Sequence, residues 1–272
     1  MGTTDRSLSL LKLFTLERSA WTAEAAALAL DVSISTAYRY LLALENIGLI
    51  TATRPGLYVL GPAIIQLDRQ IQLTDPLLIS ARPTMTDLIA YAPSSSVVLL
   101  CRFFNDQVLC MHQVLSDGPA PKVSYDRGRP MPMFRGATSK IILSFLPPRR
   151  LKAVFISHRL ALQQAGLGDT WESFKANMAR LRKTGYAVSF GEIDQGCTGI
   201  GVAILGADNY AIGSLSYVLT SEFEQRKIVH LASLLQAGAR EIASALHGDQ
   251  TTLPAPPDTD TQQKREQTVK LD

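Results

Sequence analysis

Hydrophobic and polar positions change their period along this chain, and the changes divide it into zones. Residues 1–60 read as three short helices followed by a small hairpin, and 61–75 as a connecting helix that stops near Pro76. In the first helix Leu10, Leu13 and Phe14 fall on one face. The next, over 23–30, is almost all Ala and Leu, hence a strong helix former and largely buried. Thr22 is a good N-cap for it, and Glu24 suits the positive end of its dipole. Asp31-Val32-Ser33 makes a tight turn, and Ser33 caps a third helix from Ile34 to about Ile47. Gly48 ends it where a left-handed residue is usual. Two helices joined by so short a turn are the helix-turn-helix arrangement.

At 100° per residue, Ala37, Leu41, Leu44 and Gly48 join Ile34 in a stripe facing the first two helices. The opposite face collects Ser35, Thr36, Arg39, Ala43 and Asn46, with Tyr40 at its edge. A small, polar, singly basic face can slide into a major groove. There Arg pairs with guanine, Asn with adenine, and Ser and Thr reach phosphate or base edges. Residues 49–51 and 57–60 alternate like two strands around 52–56, a β-hairpin wing with Arg54 at its tip. The candidate DNA-binding residues are therefore Thr22, Ser33, Ser35, Thr36, Arg39, Tyr40 and Arg54. The plainer alternative is a structural three-helix module whose polar face is simply solvated.

Residues 76–248 alternate strand-like and helix-like segments, an α/β pattern. Segments 97–103 and 107–114 form a hairpin turning at Asn105-Asp106; 199–205 and 211–218 form another around 206–209. Residues 171–184 read as a helix with Arg180, Arg182 and Lys183 in its last turn and Gly185 beyond. Ser221 and Glu224 make a capping box for a long helix ending before Gly248. Its Ile228, Leu231, Leu235, Ile242 and Leu246 keep one face against a sheet. The last 24 residues, 249–272, carry only four hydrophobic residues and three prolines. They cannot bury enough apolar surface to offset ordering entropy and read as a disordered tail.

Composition narrows the class. The 272 residues are 46% hydrophobic and 19% charged, enough for one or two globular domains and too apolar for wholesale disorder. The longest uncharged stretch, 88–101, spans 14 residues with Pro93 and three serines. It is too short and too polar to cross a bilayer, which needs ~20 apolar residues. The apolar run 8–16 is broken by Lys12 and closed by Glu17, so it reads as an amphipathic helix rather than a secretion signal. With three scattered Cys and no disulfide framework, the expected location is the cytoplasm.

The net charge of +3 is unevenly spread. Residues 1–60 hold five basic and five acidic side chains, 61–248 hold 19 and 14, and the tail sums to −2. A DNA-binding module is usually frankly basic, so its neutrality favours the solvated-face alternative. Between 122 and 152 stand eight basic residues and one acid, Asp126. They form a solvated surface with helix-end charges at Arg149, Arg150 and Lys152, or else Arg127, Arg129 or Lys140 draws an anionic ligand.

Enzyme signatures are missing. Cys110 and His112 lie two apart in a strand pattern, so both point to one face, but no third group orients them. Gly199-Ile200-Gly201 lacks the third glycine and following helix of a dinucleotide loop. The four His are isolated and neither they nor the Cys have metal spacing. The expectation is no catalytic residues, no metal and no cofactor.

Taken in order, these motifs resemble the IclR family of bacterial transcription regulators, named after the isocitrate lyase regulator. Asp5-Arg6-Ser7-Leu8-Ser9-Leu10-Leu11 is similar to the family's opening helix, 32–44 to its recognition helix, and Leu57-Tyr58-Val59-Leu60-Gly61 to its wing end. Gly128-Arg129-Pro130-Met131-Pro132-Met133 leads into a helix ending Ser139-Lys140, and Arg182-Lys183-Thr184-Gly185-Tyr186-Ala187 precedes Gly191-Glu192. The resemblance spans about 5–247 and implies an α+β two-domain chain. A winged helix-turn-helix (1–60) and linker helix (61–75) would precede an α/β, GAF-like effector-binding domain (76–248). It also implies a homodimer or homotetramer on a double-stranded DNA operator. Mapped from the family, the effector-binding residues are Met131, Met133, Phe134, Ala137, Thr138, Ser189, Cys197, Gly199, Ser216 and Val218. The family's frequent acid falls on Ser189, its Cys on Gly199 and one of its paired serines on Val218, while Phe134 replaces a common His. Fewer hydrogen-bonding groups with added Phe and Met favour a carboxylate with an aromatic or apolar part. The alternatives are that these residues merely fill core, and that the chain binds a small molecule without binding DNA.

Overall fold

The computed structural model describes residues 3–118, 123–220 and 225–249. The chain forms two compact units that part between Asp75 and Pro76.

In the first unit, α1 (Thr3–Ser9) runs into a short 3₁₀ turn, and α2 (Ala23–Leu30) and α3 (Ile34–Asn46) follow. α2 and α3 meet at 109°, the geometry of a helix-turn-helix. Side-chain caps start both: Thr22 Oγ1 accepts from the Ala25 N–H at 3.3 Å, and Ser33 Oγ from the Thr36 N–H at 3.2 Å. Asp31, at φ 52°, turns the chain out of α2 in the left-handed region that Asp tolerates better than most residues. The core gathers Leu10, Trp21, Ala26, Ala37, Leu41, Leu44 and Ile50.

The hairpin is β1 (Ile50–Arg54) with β2 (Leu57–Leu60), and α4 (Ala63–Thr74) comes after it. Trp21 sews β2 to the helices through two backbone hydrogen bonds with Tyr58, each 2.9 Å. The Trp21 indole N–H also donates to the Leu13 carbonyl at 2.9 Å. Two expectations need correcting. Tyr40 is buried (8% exposed) and Ile34 is 54% exposed. Ala37, Tyr40, Leu41 and Leu44 follow the i, i+3, i+4, i+7 rule, so the Tyr40 ring completes the buried stripe instead of edging the polar face. The wing tip also moves. β1 continues to Arg54, and Pro55-Gly56, with Gly56 at φ 75°, makes the turn.

The second unit opens with α5 (Pro76–Ala90) and the hairpin β3 (Val97–Phe104) and β4 (Gln107–Leu115). Asn105 and Asp106 both have positive φ, the two-residue turn that matches strand twist. The short β5 (Pro130–Met131) is followed by α6 (Ala137–Ser144), α7 (Pro148–Ser157), α8 (Arg159–Gln164) and α9 (Trp171–Thr184). Then come β6 (Ala187–Phe190), β7 (Cys197–Leu205), β8 (Ala211–Thr220) and α10 (Ile228–Asp249). One antiparallel sheet runs β5-β4-β3-β8-β7-β6. α5 and α10 cover one face, packing Leu78, Met85, Leu235 and Ile242 on Leu100, Val202 and Tyr217. On the other face Leu151, Phe155, Phe174 and Met178 pack over Leu99, Cys101, Cys110 and Val218. α9 has the expected bounds, capped by Thr170 and Ser173 and closed by Gly185 at φ 77°. The Ser221–Glu224 capping box and the tail beyond Asp249 lie outside the described residues.

A β-bulge corrects the reading of Cys110 and His112. Leu100 pairs with His112, but the next residue, Cys101, pairs with Cys110. Met111 is the extra residue, and it breaks the alternation of the strand. Cys110 therefore shares the face of Cys101, and His112 that of Leu100. Among the described residues no single helix is long and apolar enough to cross a membrane.

Candidate functional site

Two features of the molecule carry chemistry, one in each unit. On α3 the exposed Ser33, Ser35 and Arg39 adjoin the half-buried Thr36. Ser33 Oγ lies 3.1 Å from Ser35 Oγ and 2.9 Å from Thr36 Oγ1, and Arg39 Nη2 donates to Thr36 Oγ1 at 3.5 Å. These hydroxyls and one guanidinium form a connected polar cluster over the first two turns. The opening amides of α2 and α3 that the Thr22 and Ser33 caps leave free add N–H donors at the positive end of each helix dipole. Thr22 is half-buried and already engaged as a cap, and Arg54 is exposed at the end of β1.

In the second unit the site is built by the seating of α6. A Cβ at Gly201 would lie 3.1 Å from the Ala137 carbonyl, and one at Gly199 would lie 2.7 Å from Ser189 Oγ. Glycines on β7 thus let the helix lie directly on the sheet. The Ala137 N–H donates to Ser189 Oγ at 3.0 Å, and Thr138 Oγ1 to Ser216 Oγ at 3.0 Å. Gly136, at φ 81°, leads into α6 and donates its N–H to Glu192 Oε2 at 2.9 Å. Glu192 Oε1 also meets Lys140 Nζ at 2.5 Å. On the same β6–β7 loop, Asp194 accepts from the Ser124 N–H at 2.8 Å and from the Ser124 hydroxyl.

A small cavity of about 20 Å³ opens beside these groups. Ala137, Thr138, Ser189, Cys197, Gly199 and Val218 line it as the sequence suggested, and Ser216 lies directly behind Thr138. Met131 and Met133 do not line it: both are sealed in the neighbouring core. Phe134 turns to the His158 ring, 5.3 Å away. Apolar residues beside a family motif read as lining because the core beyond them is invisible in the sequence. Tyr125, Glu192, Ile193 and Asp194 also line the cavity and were missed. Gly191-Glu192 was the available signal, a charge directly after a turn glycine. Burial pushes the Tyr125 phenol up, so it stays neutral and able to donate. Burial also raises the Cys197 thiol, with Asp194 adding to the effect. Of the basic side chains between 122 and 152, Lys140 reaches Glu192 at the cavity edge, whereas Arg127 donates to the Met111 carbonyl and Arg129 is exposed. Among the described residues no group of three His, Cys, Asp or Glu could hold a metal ion.

Comparison with known proteins decides the family. Residues 73–244 match the bacterial transcriptional regulator IclR C-terminal family, and residues 3–54 the IclR helix-turn-helix domain. The chain belongs to the IclR family. A curated relative, the HTH-type transcriptional regulator KipR of Bacillus subtilis, is 22% identical over 88% of this chain and 94% of its own. An IclR transcriptional regulator structure from Silicibacter sp. TM1040 has a TM-score of 0.74 at 20% identity, covering 94% of this chain and 98% of that one. An IclR homolog from Microbacterium hydrocarbonoxydans, complexed with 4-hydroxybenzoate, has a TM-score of 0.69 at 19% identity over 91% and 100%. This IclR-family chain is thus a transcriptional regulator, not an enzyme, with a helix-turn-helix domain and an α/β effector domain.

Proposed function

We propose that this regulator reads its operator with α3 and the wing, and answers to a carboxylate with an aromatic or apolar part bound beneath α6. The observation that carries the effector class is Glu192. An internal carboxylate already sits at the start of α6, held by the Gly136 N–H and Lys140. A main-chain donor and an ammonium converging there make a carboxylate receptor. Ile193, Val218 and Ala137 supply an apolar wall. The 4-hydroxybenzoate bound by the Microbacterium relative supports the same chemistry.

Calorimetric titration tests this reading. 4-Hydroxybenzoate should bind more tightly than pyruvate or glyoxylate, and the reverse order would overturn it. Glu192→Gln removes the internal competitor but keeps the side-chain shape, so it should tighten acid binding several-fold. Unchanged or weaker binding would separate Glu192 from the effector carboxylate.

At the DNA, Ser33, Ser35, Thr36 and Arg39 face the groove and Arg54 the flanking backbone, with Thr22 near phosphate at the start of α2. Tyr40 leaves that set because it is core. A homodimer or homotetramer in the cytoplasm completes the reading. The exposed Ile65, Leu67, Ile71 and Leu73 of α4 support self-association.

A further inference from the structure

Two cysteines face each other across the sheet, and neither the DNA contact nor the effector cavity uses them. Cys101 on β3 and Cys110 on β4 are register partners beside the Met111 bulge. Partners in an antiparallel pair point to the same face, with Cα atoms about 4.5–5.5 Å apart. That interval lies within the ~4.4–6.8 Å that a disulfide spans. The bulge creates this pairing; a regular strand would have put Met111, not Cys110, opposite Cys101. Both thiols are free and fully buried.

We propose that Cys101 and Cys110 form a peroxide-responsive dithiol, a modification site that closes to an internal disulfide. Cys110 is the nucleophile. The Cys101 S–H donates to its sulfur, which outweighs burial, and Arg127 assists against the opposing Asp126, so Cys110 loses its proton more readily than usual, while Cys101 is held well above the usual thiol range. The Cys110 thiolate attacks one peroxide oxygen, the O–O bond breaks, and uptake of a proton releases water and leaves a sulfenic acid. The Cys101 sulfur then attacks the Cys110 sulfur. The S–O bond breaks, and hydroxide leaves with the Cys101 proton as a second water. Two thiols and one hydrogen peroxide thus give one disulfide and two waters, the peroxide taking both electrons.

Beyond β4 the sheet ends at the two-residue β5, and the preceding loop is tied to Cys110 by the Gly128 N–H on its carbonyl at 2.9 Å. Local opening of such an edge admits a molecule as small as peroxide. The electrostatics also set Tyr125 of the cavity wall close to both sulfurs, so closing the bridge alters the packing behind the effector site.

The test is peroxide treatment of the full-length reduced protein, followed by intact mass and peptide mapping. The expected product has lost two hydrogen atoms, carries a Cys101–Cys110 peptide link, regains its mass with dithiothreitol, and keeps Cys197 as the sole alkylatable thiol. Hydrogen exchange of the peptide around Tyr125 should change with it. Cys101→Ala and Cys110→Ala should each abolish the link, and Cys197→Ala should retain it. Unchanged mass, oxygen addition at Cys197 alone, or a disulfide between chains would overturn the proposal. The wild-type mass decides the matter even if an alanine variant folds poorly.

Discussion

Arg39 and Tyr40 are neighbours on α3, one exposed and the other sealed in the helix-turn-helix core. Substituting each should therefore fail differently. Arg39→Ala should weaken operator binding by about 1–3 kcal/mol, the worth of one good base contact, and leave thermal stability within about 0.5 kcal/mol. Operator binding unchanged in Arg39→Ala would contradict the assignment of α3. Tyr40→Ala should instead unfold the module, with a loss of about 3–5 kcal/mol measured by denaturant titration. His112 offers a pH-dependent test. Burial, then Arg82 and Arg127, hold its imidazole below the usual value. The native state thus resists a proton that the unfolded chain accepts near pH 6.5, so this contribution is present at neutral pH and is lost as pH falls from about 6.5 toward the lower native value. Urea midpoints of His112→Gln should decline less between about pH 7 and 5 than those of the wild type. Parallel declines would refute the linkage.

Where an element is set by neighbours in sequence, the pattern already contained it. α9 has its cap, its basic last turn and its terminal glycine within a few residues, and the Asn105-Asp106 turn is equally local. The same holds for the α2–α3 pair with its Thr22 and Ser33 caps. The bulge at Met111 and the seating of α6 on Gly199 and Gly201 depend on partners far along the chain, so periodicity did not show them. The cavity followed this division. Ser189 and Thr138 were found through the family's motif order, while Glu192 and Asp194 gain their meaning only when the β6–β7 loop closes onto Gly136, Lys140 and Ser124. Gly61 is an element-scale case of its own. A Cβ there would lie 2.2 Å from the Gly48 carbonyl oxygen, a clash of backbone rather than of a movable side chain. Gly61→Ala should therefore cost more than about 2 kcal/mol in denaturant titration and splay the wing from the end of α3. A neutral effect would mean that the strand end moves freely.

On the scale of the whole molecule, charge is a poor guide to the reader. The 60-residue module that carries the helix-turn-helix has five basic and five acidic side chains, and the excess of positive charge lies in 61–248. On the reading proposed above, specific binding rests on placed donors, Arg39, the serine hydroxyls and helix N-termini, duplicated by self-association. Its affinity should still fall as salt rises, with a shallow slope because each module neutralises few phosphates. A slope as steep as that of a polybasic protein would argue against this picture. The most direct measurement is fluorescence anisotropy of the full chain with DNA from upstream of its own coding sequence and with scrambled DNA, each with and without 4-hydroxybenzoate. The account predicts preference for the upstream DNA by at least about 10³-fold, and a change in that affinity when the acid is added. Equal, weak binding to both DNAs, untouched by the acid, would contradict it.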